Sequence, residues 1–212
     1  MTIIRTRDNH VMGTVYTGRG PHEGFFTPDG KQVWVTVRGE DYLSVIDVAS
    51  LKETGRIRVA QGPGMVVFSP DGQRAFVDSS RTAQLDVIDV PTHKVIARVP
   101  VVSPFSPNLV VTPDGKEVWL THKDVGKVTA IDARTFKVLH VLDTGKVTNH
   151  VNAVSTGAGD FIYVTVGGEN VVKVIKRGAK PQIVATIPTG MTPHGIWPSG
   201  DNTRVYLSLI HI

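Results

Sequence analysis

The sequence predicts an all-β protein of the β-propeller class, and three observations carry that reading. A turn motif, an aromatic residue and an Ile-Asp strand end each recur in step along the 212 residues. The apolar, β-branched and aromatic residues come in short runs, separated by turn signals about every 8–12 residues, with no helical period. The repeat, near 43 residues long, has the size of one four-stranded propeller blade.

The turns are Pro28-Asp29-Gly30, Pro70-Asp71-Gly72 and Pro113-Asp114-Gly115, spaced by 42 and 43. Degenerate copies follow at Gly157-Ala158-Gly159-Asp160 and Pro198-Ser199-Gly200-Asp201. The aromatics are Trp34, Phe76, Trp119, Tyr163 and Tyr206, spaced by 42, 43, 44 and 43. The third series is Val45-Ile46-Asp47, Val87-Ile88-Asp89 and Ala130-Ile131-Asp132, with Val174-Ile175-Lys176 as a variant.

Within a unit, each turn opens onto a strand such as Gln32-Val33-Trp34-Val35-Thr36-Val37. A polar loop and an alternating strand ending in Ile-Asp come next. A tight turn then carries Ser50, Thr92 or Thr135 three residues after the Asp. An Asp at the head of such a turn is expected to bond the backbone two residues on, so Asp47, Asp89 and Asp132 read as turn residues and not as catalytic acids. A fourth strand such as Val95-Ile96-Ala97-Arg98-Val99 and a Gly- or Pro-rich link complete the unit, and Met65-Val66-Val67-Phe68 is the type of the next apolar strand. One such sheet has two apolar faces and can bury neither alone. Packing blade on blade buries both, and an aromatic in that interface removes roughly 150–250 Å² from water. All five aromatics are therefore expected to be core.

The phase of the repeats sets the domain plan. A half blade over 1–19 precedes blades at 22–60, 64–101, 107–144 and 151–189, and a second half blade occupies 193–209, all in one propeller domain. That is about five blades of strands. Either the halves complete one another in a five-bladed ring, or the chain is a piece of a larger propeller with open sheet edges. The end, Ser208-Leu209-Ile210-His211-Ile212, favours the piece: every other copy continues into a polar loop, whereas this apolar tail matches none of them.

Composition narrows the function classes. An apolar content of 41% with 20% charged residues excludes intrinsic disorder. The absence of cysteine excludes a disulfide scaffold and covalent haem attachment. No apolar run reaches the roughly 20 residues of a membrane span. The net charge of +4 comes from dispersed Lys and Arg, which gives no nucleic-acid footprint. Met1-Thr2-Ile3-Ile4-Arg5 carries no signal region.

The combination of a Pro-Asp-Gly turn, an aromatic-Val-Thr strand and a Val-Ile-Asp strand resembles the YVTN-repeat β-propeller family over nearly the whole chain. Tyr163-Val164-Thr165-Val166 is the nearest copy of its naming motif, with Val where Asn is usual. The resemblance implies a fragment of a commonly seven-bladed propeller and a periplasmic or extracellular, often secreted, setting. Similar propellers include the haem domain of cytochrome-type nitrite reductases, that of nitrous-oxide reductase, and bacterial lactonases. A metal- or haem-dependent oxidoreductase or a lactonase-type hydrolase is thus an alternative to simple binding, and a structural surface role is a second one.

Function in a propeller sits on the loops around the channel, held by the rigid sheets. The repeat alignment brings His22, Asn108, His150, Asn152 and His194 to the loop that enters the innermost strand. Arg38, Arg81, His122, Lys123 and Glu169 fall on the loop after the second strand. His22 and His194 align, each 11 residues before a matching Val, and Asn108 is expected to align with Asn152. His22, Arg38, Arg81, Asn108, His122, His150, Asn152 and His194 are accordingly the candidate contacts of a small ligand or protein partner. Ligation by two or more of His22, His122, His150 and His194 requires imidazole nitrogens about 2 Å from one ion. No ligand set of the usual spacing is present, so no metal is assigned and the cofactor is left unknown. His10, His93 and His140 fall on outer strands or turns and are expected to be solvated. The usual hydrolase, zincin and phosphate-loop motifs do not occur in the sequence, so a non-enzymatic role is the leading expectation.

Overall fold

The computed structural model describes residues 1–210, and those residues form strands and no helix. They divide into two compact units, Met1–Arg98 and a second beginning at Val99. The first unit holds a two-stranded sheet, β1 (Thr2–Arg5) with β2 (His10–Thr14). Two four-stranded sheets follow, β3 (Pro21–Phe26), β4 (Gln32–Val37), β5 (Tyr42–Asp47), β6 (Lys52–Arg58) and β7 (Pro63–Phe68), β8 (Arg74–Ser79), β9 (Gln84–Asp89), β10 (Lys94–Pro100). In the second unit come β11 (Leu109–Val111), β12 (Glu117–His122), β13 (Lys127–Asp132), β14 (Val138–Asp143) and β15 (Thr148–Thr156), β16 (Gly159–Val166), β17 (Val171–Lys176), β18 (Gln182–Pro188). The pair β19 (Pro193–Pro198) and β20 (Val205–Leu209) completes it. Each four-stranded sheet is an antiparallel blade with neighbours in chain order, as the β-propeller reading expects.

Local chemistry sets the hairpins. Two residues before each turn Asp stands a Thr or Ser whose hydroxyl donates to it: Thr27 to Asp29 at 2.7 Å, Ser69 to Asp71 at 2.5 Å and Thr112 to Asp114 at 2.6 Å, each just before the Pro, and Ser199 to Asp201 at 2.6 Å, just after Pro198. The turn glycines Gly30, Gly72 and Gly115 take φ near 70°, the left-handed region that costs glycine least. The second turn departs from expectation. Asp47 and Asp89 accept from the backbone N–H three residues on, that of Ser50 at 2.7 Å and of Thr92 at 3.2 Å, and Asp47 also draws on the Ala49 N–H two residues on. Asp132 does both, through Arg134 and Thr135. The turn is longer than a β-turn. Leu51, His93 and Phe136 are left-handed at φ 56°, 58° and 60°, and Leu51 N–H closes on Asp47 O at 2.9 Å.

The aromatics build the core where another sheet covers them. Trp34 is fully buried with Val66, Ala75, Val77 and Ile88, and Trp119 with Val151, Ala153, Ile162, Val164 and Ile175. Each indole N–H is satisfied two residues back, on Gln32 at 2.9 Å and on Glu117 at 2.6 Å. Phe76 is also fully buried. Tyr163 is only half-buried and Tyr206 is 59% exposed, against the expectation that all five are core. The sheet that follows Tyr163 has two strands instead of four, and none follows β20 among the described residues. His10 is exposed as expected, but His93 and His140 are half-buried. The His93 ring stands edge-on to Trp34 with centroids 5.2 Å apart, and burial pulls its pKa down. Of the apolar tail, Ser208 and Leu209 belong to β20, while His211 and Ile212 lie outside the described residues.

Candidate functional site

The first strand of each sheet meets the second in a shared register. Gly24 faces Val35, Val66 faces Val77, Leu109 faces Leu120, Val151 faces Val164 and Ile196 faces Leu207. Two residues before these points stand His22, Gly64, Pro107, Asn149 and His194; one before stand Glu23, Met65, Asn108, His150 and Gly195. His22 and His194 are therefore equivalent, as the sequence alignment has them. Asn108 is equivalent to His150 and not to Asn152. Trp119 faces Val110 across a hairpin two residues shorter than the one that brings Tyr163 opposite Asn152. Counting back from the aromatic therefore lands two residues late in that blade.

A side chain two residues after each aromatic ties these strands together, and the sequence reading missed it. Thr36 Oγ1 accepts from Glu23 N–H at 3.1 Å and donates to Gly64 O at 2.9 Å. Thr121 Oγ1 donates to Asn149 O at 2.7 Å. Thr165 Oγ1 accepts from His150 N–H at 2.9 Å and donates to His194 O at 2.7 Å. Ser208 Oγ accepts from Gly195 N–H at 2.8 Å, so this part of the tail does match the repeat. The signal was present as a hydroxyl at one phase of the repeat.

Asp78 is the exception at that phase. Its Oδ1 accepts from Met65 N–H at 2.7 Å, as the hydroxyls do. Its Oδ2 is buried with no hydrogen-bond partner among the described residues. Burial raises the Asp78 carboxyl well above the usual range; the Met65 N–H opposes the shift and the nearby Glu23 charge adds to it.

In the first unit, His22 and Arg38 come together. His22 Nδ1 lies 2.7 Å from Gly64 O, which can only accept, so Nδ1 carries a hydrogen. In the neutral ring Nε2 is then the acceptor for Arg38 Nη1 at 3.2 Å. Glu23 Oε1 is 3.9 Å from His22 Nδ1. Burial raises the Glu23 carboxyl, against the pull of His22 and Arg38. Arg81 is exposed, its stem lying over Gly62, where a Cβ would come within 2.9 Å of Arg81 Cγ.

In the second unit, several named residues are engaged in the frame itself. Asn108 is 1% exposed, and its Oδ1 accepts from Val151 N–H at 2.9 Å. Asn152 donates to Ile196 O at 3.1 Å. The ring nitrogens of His122 meet Ser106 Oγ at 2.9 Å and Thr129 Oγ1 at 2.7 Å, and burial lowers its pKa to about 4. His150, 8% exposed, and half-buried His194 lie together, ring centroids 4.5 Å apart and planes at 53°. Asn149, which the sequence reading passed over, donates to Pro193 O at 3.1 Å. Among the described residues no three His, Cys, Asp or Glu side chains form a metal-binding group, and no helix is long and apolar enough to cross a membrane.

Comparison with known proteins agrees with the architecture. The model of the YNCE-like beta-propeller family matches residues 15–158. Among solved structures, Kuenenia stuttgartiensis hydrazine synthase superposes with a TM-score of 0.86 at 22% identity, over 98% of this chain and 67% of that one. A functionally unknown protein from Desulfotomaculum acetoxidans DSM 771 gives the same TM-score at 14% identity, over 98% of this chain and 68% of that one. At these identities the likeness is one of fold. No curated protein matches the chain.

Proposed function

Because this chain belongs to the YNCE-like β-propeller family, we propose that it works by binding, with a small ligand or a protein partner held at the ends of the first strands. One observation supports this most. The hydroxyl frame of Thr36, Thr121, Thr165 and Ser208 repeats, while the residues it presents change from strand to strand: His22, Gly64, Pro107, Asn149 and His194 at one position, Glu23, Met65, Asn108, His150 and Gly195 at the next. A repeated scaffold with unlike side chains suits an asymmetric ligand. Within the first unit by itself the candidate contacts are His22, Arg38 and Arg81, and within the second by itself His150 and His194. The setting we propose is periplasmic or extracellular, on the family resemblance.

A thermal-shift screen of small polar metabolites with EDTA present tests the reading. A ligand at about a hundred times its Kd stabilises the folded state by roughly 2.7 kcal/mol. The expected outcome is a rise in Tm for the native chain that disappears in a His22→Ala/His194→Ala variant of unchanged circular dichroism. No shift with any compound, or an equal shift in the variant, would reject it.

A further inference from the structure

We propose that His150 and His194 form a two-imidazole site for a divalent transition-metal ion. The inference deepens the binding role proposed above, since it names a ligand for one pair of the same strand ends. Its first support is distance. A metal–nitrogen bond of about 2.0–2.1 Å puts the ion roughly 3.2 Å from each ring centre. Two imidazoles at about a right angle around one ion then have centroids roughly 4.5 Å apart. The observed separation is 4.5 Å, with the planes tilted at 53° rather than stacked.

The second support is how the pair is held. The Thr165 hydroxyl takes the His150 N–H and gives its own hydrogen to His194 O, so one side chain fixes both backbones. Asn149 and Asn152 flank His150 and donate to Pro193 O and Ile196 O, on either side of His194. Both donors lie on β15 and both acceptors on β19. Such outer contacts place metal ligands before the ion arrives. The equivalent of His150 in the first unit is Glu23, and the next first strand there presents Gly64, so no second pair of this kind arises in that unit.

Two protein ligands leave further positions for water or for a donor on a bound molecule. Imidazole suits Cu, Ni and Zn, and affinity for a given site peaks at Cu(II) in the divalent series. Among the described residues no carboxylate or thiol joins the pair, so the site as described favours nitrogen-loving ions over Mg(II) and Ca(II).

The experiment is a calorimetric titration of the full, untagged chain with Cu(II), Ni(II) and Zn(II), followed by pulsed paramagnetic resonance of the Cu(II) form. One ion per chain, coupled to two imidazoles, is expected. His194→Gln and His150→Gln should each weaken Cu(II) binding at least tenfold, whereas His10→Gln, at an exposed position, should leave it unchanged. His150 is buried, so His194→Gln, at a half-buried position, decides the matter if the other variant fails to fold. The proposal is overturned if the native chain binds none of these ions, if His194→Gln binds as the native chain does, or if the resonance shows one imidazole. Failure here with a positive metabolite screen in EDTA would leave the broader binding role standing.

Discussion

The strand pair β3–β7 in the first unit and the pair β15–β19 in the second share one frame and present different chemistry. In each, a threonine hydroxyl on the second strand, Thr36 or Thr165, accepts from its own first strand and donates to the next. What stands on that frame differs. In the first unit, His22 spends Nδ1 on the Gly64 carbonyl, with Arg38 against its other nitrogen. Gly64 has no side chain to offer back. In the second, His194 occupies the place of Gly64 and its ring meets His150. Three exchanges separate the pairs: Asn149 stands where His22 does, His150 where Glu23 does and His194 where Gly64 does, so a histidine bound to backbone gives way to a histidine facing a histidine. Propeller repeats keep the hydrogen bonds that hold strands together and vary what the strand ends display.

The units also differ in the buried titratable group each carries, His122 in the second and Asp78 in the first, and this gives the largest expected effect. His122 is buried neutral in the second unit, its pKa lowered from 6.5 to about 4 by burial. The folded state therefore binds its proton less readily than the unfolded chain. Stability is intact above about pH 6.5 and is lost as pH falls toward 4, by roughly 3 kcal/mol when the whole shift is traversed. Hydrogen exchange at pH 7 and pH 4.5 should show the second unit losing protection first, and His122→Gln should remove much of that sensitivity. Equal loss in both units, unaffected by the variant, would break the contrast.

The first unit carries the opposite liability. The Asp78 carboxyl is raised by burial, so the folded state holds its proton more tightly, and stability falls as pH rises above the ordinary carboxylate range. Asp78→Thr restores the hydroxyl found at Thr36, Thr121 and Thr165. It should stabilise the first unit by about 2 kcal/mol at pH 8, within the usual cost of a buried unsatisfied group, and by less at pH 5. Urea unfolding at the two pH values measures it. A destabilising Asp78→Thr would mean that the carboxylate has a partner the hydroxyl cannot serve.

Much of this was legible in the sequence because the frame repeats and repeats can be aligned. The turn motif, the aromatic and the Ile-Asp end fixed the blades because each serves a local need: a left-handed glycine, a buried ring, an anchored turn. The His22–His194 equivalence was readable for the same reason. The Asn108–Asn152 alignment failed because spacing counts residues, whereas the sheet counts hydrogen-bonded pairs, and the β15–β16 hairpin adds two residues without shifting the register of Val151 on Val164. The bonds of Asn108, Asn152 and His122 to the frame were not readable either. A polar residue near a strand end has the same letter whether its partner is a backbone amide one sheet away or a ligand. The exposure of Tyr206 reflects which sheet covers it, a property of the neighbour and not of the repeat.

The smallest effect asks whether the frame and its display separate. Thr36→Val and Thr165→Val keep the shape and remove the hydroxyl, and each should cost about 1–2 kcal/mol, since each leaves backbone groups of two strands short of a partner. Stability alone cannot tell the two variants apart if the frame is common. The difference should appear in the histidines. In Thr165→Val both backbones that carry the ring pair lose the same anchor, so the imidazole NMR signals of His150 and His194 should move or broaden. In Thr36→Val the signal of His22 should move less, because Nδ1 bonds the Gly64 carbonyl directly at 2.7 Å and keeps that bond when the hydroxyl that shares the acceptor is gone. If the His22 signal moves as much as the paired ones, the hydroxyl positions every strand end alike. The His150–His194 arrangement would then owe nothing special to Thr165, and its rigidity would rest on the Asn149 and Asn152 bonds to β19.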